Sequence, residues 1–102
     1  MKRKAYILTF DAPLPLFGAF DAVELHKVLT TAKGIISWWH YLKGTYILIV
    51  APDILATNIS TFIHPHMGRS PYLVMEVNLA NHNGILTAES WNWISKYLLE
   101  TS

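Results

Sequence analysis

Apolar positions along this chain follow two different periods, and the switches between them mark out the elements. Residues Arg3 to Phe10 (RKAYILTF) are short, aromatic and β-branched in part, which predicts a strand. Asp11 closes it, and Pro13 and Pro15 break any regular element in the apolar loop that follows. Asp21 and Glu24 have the D-x-x-E spacing of a capping box, and Phe20 and Leu25 are placed as its hydrophobic staple. Ala22, Leu25, Val28, Leu29 and Ala32 then recur at helical spacing, and Lys33-Gly34 predicts the helix end. Strand character returns over Ile35 to Leu42 (IISWWHYL) and Thr45 to Ala51 (TYILIVA), joined as a hairpin at Lys43-Gly44. A short amphipathic helix is expected over Ala56 to Ile63, closed by Pro65 and Gly68. Pro71 to Leu79 (PYLVMEVNL) predicts a fourth strand. Thr87 caps a last helix over Ala88 to Leu99, with Trp91, Ile94 and Leu98 on one side.

The predicted order is β-α-β-β-α-β-α. Its first six elements make the split βαβ arrangement of ferredoxin-like folds. The expected class is α+β: a ferredoxin-like antiparallel sheet with an additional C-terminal helix, and one domain over residues 1–102. Right-handed crossovers would put the first two helices on one sheet face. An α/β sandwich with another strand order is the alternative. The strands, however, are apolar on both sides. Ile47 and Ile49 oppose Tyr46, Leu48 and Val50; Tyr72 and Val74 oppose Leu73, Met75 and Val77. In the second strand, simple alternation sets Ile35, Trp39 and Tyr41 against Ile36, Trp38 and Leu42. A one-sided antiparallel sheet should have a polar outer face. The expectation is therefore that the last helix covers part of the second face and a second copy, in a homodimer, covers the rest.

Composition sharpens this. Of 102 residues, 52% are hydrophobic and only 15% are charged, which excludes intrinsic disorder. The mean hydropathy of +0.27 is high for a domain with so much surface per volume. Net charge is +1, which does not suggest an arm for nucleic acid. Cysteine is absent, so disulfides, thiol nucleophiles and Cys-ligated metals are excluded. With neither a leader pattern nor an apolar run of spanning length, no membrane association and a cytoplasmic location are expected.

Candidate chemistry is sparse. Asp11 is a carboxylate at a strand end; paired across a two-fold axis, two copies would hold Mg2+ for phosphodiester hydrolysis, whereas alone it makes an Asx-turn. His64 and His66 have H-x-H spacing, but Pro65 lies between them and only distant His82 offers a third metal ligand. His40 reads as a general base or as a hydrogen-bonded core histidine. Trp38, Trp39, Trp91 and Trp93 are not interleaved with basic residues as in single-strand binders, so they read as core or interface. The ligand-binding set suggested by the sequence is Trp38, Trp39, His40 and Tyr41, with Arg69 for a phosphate and Leu16 and Phe17, beside Leu14, roofing an interface pocket. No phosphate loop, dinucleotide fingerprint, nucleophile elbow, zincin or EF-hand pattern occurs.

The run Trp38-Trp39-His40-Tyr41-Leu42-Lys43-Gly44-Thr45-Tyr46-Ile47 resembles the hairpin signature of small bacterial and phage proteins of the SinR family. His64-Pro65-His66-Met67 resembles that family's second-helix ending, and Trp93 to Leu98 its terminal helix. Lys43-Gly44 departs from the usual acidic turn, and the apolar Pro13–Phe20 loop from the usual polar one. That family is similar in fold to the small nuclease subunit of CRISPR adaptation complexes. The resemblance implies a ferredoxin-like homodimer with Asp11 in the place of that subunit's proposed magnesium ligand. Three functions follow as expectations. The first is a homodimer binding a nucleotide or other small ligand at its interface, without evident catalytic machinery. The others are a weak Mg2+-dependent nuclease using Asp11, and a protein-interaction module.

Overall fold

Alternation along the central strands sorts their side chains between two apolar layers, and the helices pack accordingly. The computed structural model describes residues 2–11 and 22–101. Its elements are β1 (Lys4–Phe10), α1 (Ala22–Thr31), β2 (Ile35–Leu42), β3 (Thr45–Val50), α2 (Ala56–Met67), β4 (Tyr72–Val77) and α3 (Ala88–Thr101). The chain is α+β, with a four-stranded sheet in the order β2-β3-β1-β4 and every neighbouring pair antiparallel. β1 and β2 thus run parallel with β3 between them, and β3 and β4 run parallel with β1 between them. The capping box at Asp21, its staple residue Phe20 and the proposed roof Leu14, Leu16 and Phe17 lie outside the described residues.

On one face, Tyr6, Leu8, Tyr46, Leu48 and Val50 meet Leu25 and Leu29 of α1 and Ile59, Ile63 and Met67 of α2. Both crossover helices therefore lie on the same side. On the other face, Ala5 and Ile49 pack with Leu79 and with Ile94 and Tyr97 of α3, flanked by Ile47, Val77, Trp91 and Trp93. Trp93 Nε1 donates to Ser37 Oγ at 2.9 Å, pinning α3 to β2. Thr87 caps α3 as expected, its Oγ1 accepting from Ser90 N at 3.2 Å.

The cover is partial. α3 lies over the end of the sheet that holds Ala5 and Ile49. At the other end Leu73 and Met75 of β4 remain 49% and 51% exposed, and Leu42 of β2 50%. All three are on α3's side, because they pair in register with Thr9, Ile7 and Thr45. Ile85, which lines a cavity with Leu42, is 99% exposed.

Two sequence expectations are corrected here. Register shifts between Ile35 and Ser37 and between Trp39 and Leu42 interrupt the alternation of β2. Ile35 and Trp38, opposite Val50 and Leu48, consequently share the α1–α2 face, and Trp39 and Leu42, opposite Ile47 and Thr45, share the α3 face. An extra residue in one strand of a pair exchanges the faces beyond it. The second helix also runs past Pro65 to Met67 instead of closing at Ile63. Ile59, Ile63 and Met67 form a continuous buried stripe four residues apart, and burying Met67 offsets the backbone bond that Pro65 cannot make. Asn58 starts this helix, its Oδ1 accepting from Leu55 N at 2.7 Å.

Candidate functional site

The apolar stripe of α1 carries one polar intruder. Ala22, Leu25, His26 and Leu29 have i, i+3, i+4, i+7 spacing, so His26 is turned toward the sheet with the core leucines. There its Nδ1 meets the Tyr46 hydroxyl of β3 at 2.7 Å. The His40 ring of β2 lies flat on the Tyr46 ring, with centroids 3.8 Å apart and planes within 3°. The Trp38 ring meets His26 edge to face at 4.9 Å. Three elements thus bring two imidazoles, a phenol and an indole into one cluster.

The bonds fix part of its chemistry. His40 Nδ1 is 2.8 Å from the Thr45 carbonyl oxygen. A carbonyl only accepts, so Nδ1 carries the proton and the neutral ring keeps its lone pair on Nε2. Burial pushes the Tyr46 phenol above its ordinary range, which keeps it a neutral hydrogen-bonding hydroxyl. A cavity of about 240 Å3 opens against this cluster, lined by Phe10, Leu25, His26, His40, Lys43 and Tyr46 together with Ala22 and Gly44. Its walls are mostly apolar with a few convergent polar groups, as small-ligand sites are.

Tyr6 has a raised phenol for related reasons: burial first, then the negative charge of Glu76 opposite it in the β1–β4 register. Its hydroxyl donates to the Ile54 carbonyl at 3.1 Å. Both raised values have the same sign of linkage. The folded chain prefers neutral phenols, so the stability present below the ordinary value of 10.0 is lost as the pH rises through the raised folded values. Urea unfolding at pH 9, 10 and 11 is expected to show falling stability across that series, with a shallower fall in Tyr6→Phe. An unchanged slope in that variant would place the alkaline loss elsewhere.

The other residues singled out from sequence are dispersed. Of the proposed ligand-binding set, Trp38 and His40 belong to the cluster. Trp39 is buried on the opposite face, its Nε1 without a partner among the described residues, and Tyr41 packs 5.9 Å from it. Arg69 is exposed in the turn after α2. Asp11 is exposed at the end of β1, its N–H donating to the Pro71 carbonyl at 3.3 Å. It borders an open cavity of about 300 Å3 in which it is the one carboxylate among the described residues. His64 meets the Tyr72 hydroxyl at 3.2 Å, whereas His82 stacks on Trp91 5.5 Å away on the α3 side. The three histidines do not converge, and no group of three potential metal ligands gathers among the described residues. Nor is any helix among them long and apolar enough to cross a membrane.

Sequence reasoning missed His26. The signal available was its place on the apolar stripe of α1, where a lone imidazole calls for a partner across the layer. Comparison of the chain with protein-family models, with curated proteins and with solved structures gave no match.

Proposed function

We propose that this protein is a ferredoxin-like binding protein that takes a nucleotide or another small ligand in the pocket beside Tyr46 and self-associates as a homodimer. The observation that carries the binding function is the His26–Tyr46–His40 cluster facing a cavity of about 240 Å3. The strand order β2-β3-β1-β4, with a helix crossing over one strand on each side, supports the ferredoxin-like assignment. The resemblance of the Trp38–Ile47 hairpin to SinR-family proteins is part of the same proposal. The pocket lies on the α1–α2 side of the sheet, so each chain carries its own and the dimer contact is separate from it.

The proposed contact is the open end of the α3 face. Leu42, Leu73 and Met75 are half exposed there, and β4 is an edge strand with one side of its backbone unpaired among the described residues. A second copy brings the same apolar surface to a two-fold axis, and a net charge of +1 per chain offers little repulsion. The nuclease function has less support, because Asp11 is the one carboxylate in its cavity among the described residues.

Two measurements test the proposal. Light scattering at micromolar concentration is expected to give twice the chain mass, and Met75→Lys to give the chain mass with an unchanged circular-dichroism spectrum. A monomeric parent protein would remove the dimer. A thermal-shift series with nucleotides is expected to raise the midpoint by several degrees near saturation, since a ligand at 100 times its Kd adds about 2.7 kcal/mol to stability. The shift should be lost in His40→Leu. A series with no shift would remove nucleotides as the ligand.

A further inference from the structure

The walls of the pocket beside Tyr46 are asymmetric in charge. Among the lining residues described, His26, His40 and Lys43 carry or can accept a positive charge, and there is no carboxylate. Lys43, in the exposed hairpin turn, has no ion pair among the described residues; the pair found among them joins Arg3, near the start of the chain, to Glu100 in α3. The remaining walls are apolar, with the Phe10 and Tyr46 rings 6.4 Å apart and within 23° of parallel, and Leu25 beneath.

We propose that the pocket takes a small amphipathic anion: a ring-sized apolar body against Phe10 and Leu25, with one phosphate or carboxylate group at Lys43 and the two histidines. The inference rests on the small-ligand function proposed above and narrows it to a chemical class. The side-chain bonds leave the opposite ring nitrogens available to the anion. His40 has Nδ1 committed to the Thr45 carbonyl, and His26 has Nδ1 committed to the Tyr46 hydroxyl, so each ring keeps Nε2 for a ligand. An anion at His40 Nε2 favours a proton there, and the resulting imidazolium donates both to the ligand and to Thr45. A carbonyl behind the ring accommodates that cation; a lysine or arginine behind it would oppose it. The cavity of about 240 Å3 has room for one small ring system.

The test uses the full chain and four probes: adenosine 5′-monophosphate, adenosine, benzoate and inorganic phosphate. Amide and imidazole NMR shifts of His26, His40, Gly44 and Tyr46 are followed against probe concentration. The expected result is saturable perturbation of this set by the monophosphate and by benzoate, with adenosine, which lacks the charge-assisted bond, and inorganic phosphate, which lacks the apolar body, each binding at least about tenfold more weakly. Lys43→Met, a change in an exposed turn, is expected to weaken the monophosphate about tenfold and to leave adenosine unchanged. Adenosine binding as tightly as the monophosphate, or no effect of Lys43→Met, overturns the anion and leaves the small-ligand function standing. Inorganic phosphate binding as tightly as the monophosphate overturns the amphipathic ligand. No perturbation of the set by any probe overturns the inference and the function it rests on.

Discussion

Leu48→Ala is expected to lower the unfolding free energy by about 2–5 kcal/mol, the range for emptying a large apolar site in a well-packed core. Leu48 is fully buried on β3, one of the two inner strands. Its register partners are Tyr6 on β1 and Trp38 on β2. It belongs to the cluster that joins Leu25 and Leu29 of α1 with Ile59, Ile63 and Met67 of α2. Those helices touch one another as well as the sheet, so neither can move into the vacated space without losing contacts elsewhere. The residual cavity is therefore large, which puts the cost in the upper half of the range. A domain of this length has a stability of roughly 5–15 kcal/mol, so the change removes a sizeable share of it. Urea denaturation followed by circular dichroism should give a lower midpoint with an unchanged slope, and thermal unfolding a midpoint lower by at least about 10 °C. A midpoint within error of the parent would mean that the helices do not close over β3 as described.

The same residues explain what the sequence alone made legible. The hairpin was legible because two runs of β-branched and aromatic residues flank Lys43-Gly44; β2 spans Ile35–Leu42 as expected, and β3 ends one residue early, at Val50. The element order followed from local signals of the same kind: Gly34 at a helix end, Thr87 at a helix start, Pro52 and Pro71 between elements. The side of the sheet on which each β2 residue lies was not legible. Alternation is a rule for regular pairing, and the irregularities at Ile36 and at His40–Tyr41 arise from how β2 meets β3. The length of α2 was hidden for a tertiary reason too: Pro65 argues locally for a stop, and the burial of Met67 overrides it. The pocket was the least legible feature. His26 and Tyr46 are 20 residues apart and meet only because α1 crosses over β3 on its way from β1 to β2. His40 likewise has its ring partner on the next strand, in Tyr46, and not in the tryptophans beside it in sequence. The apolar second face was legible from the alternation of β3 and β4, and α3 covers the part of it over Ala5 and Ile49.

Gly44→Ala is the second large effect expected, and it acts on the fold and the pocket together. Gly44 has φ +79°, a conformation that side-chain-bearing residues rarely adopt. That strain alone costs about 1–3 kcal/mol. The larger obstacle is contact. A β-carbon there would sit 2.5 Å from the backbone oxygen of Phe10, far inside contact distance. Backbone cannot rotate away as a side chain can, so the hairpin turn has to part from the end of β1. The bond from Phe10 N to the Gly44 carbonyl, 2.9 Å in the folded chain, is lost with it. Phe10 and Lys43 are then drawn apart across the pocket that both of them line. Gly34→Ala supplies the comparison. Gly34 also has positive φ, +97°, but its β-carbon would meet the Ile54 side chain at 2.8 Å, and that chain end can turn aside. The two substitutions share the conformational strain and differ in what must yield. Thermal unfolding is expected to rank Gly44→Ala well below Gly34→Ala, and NMR shifts of Phe10, His40 and Tyr46 should move in the first variant only. Equal midpoints would mean that the hairpin turn is not packed against the end of β1, and the wall of the pocket would be lost with that contact.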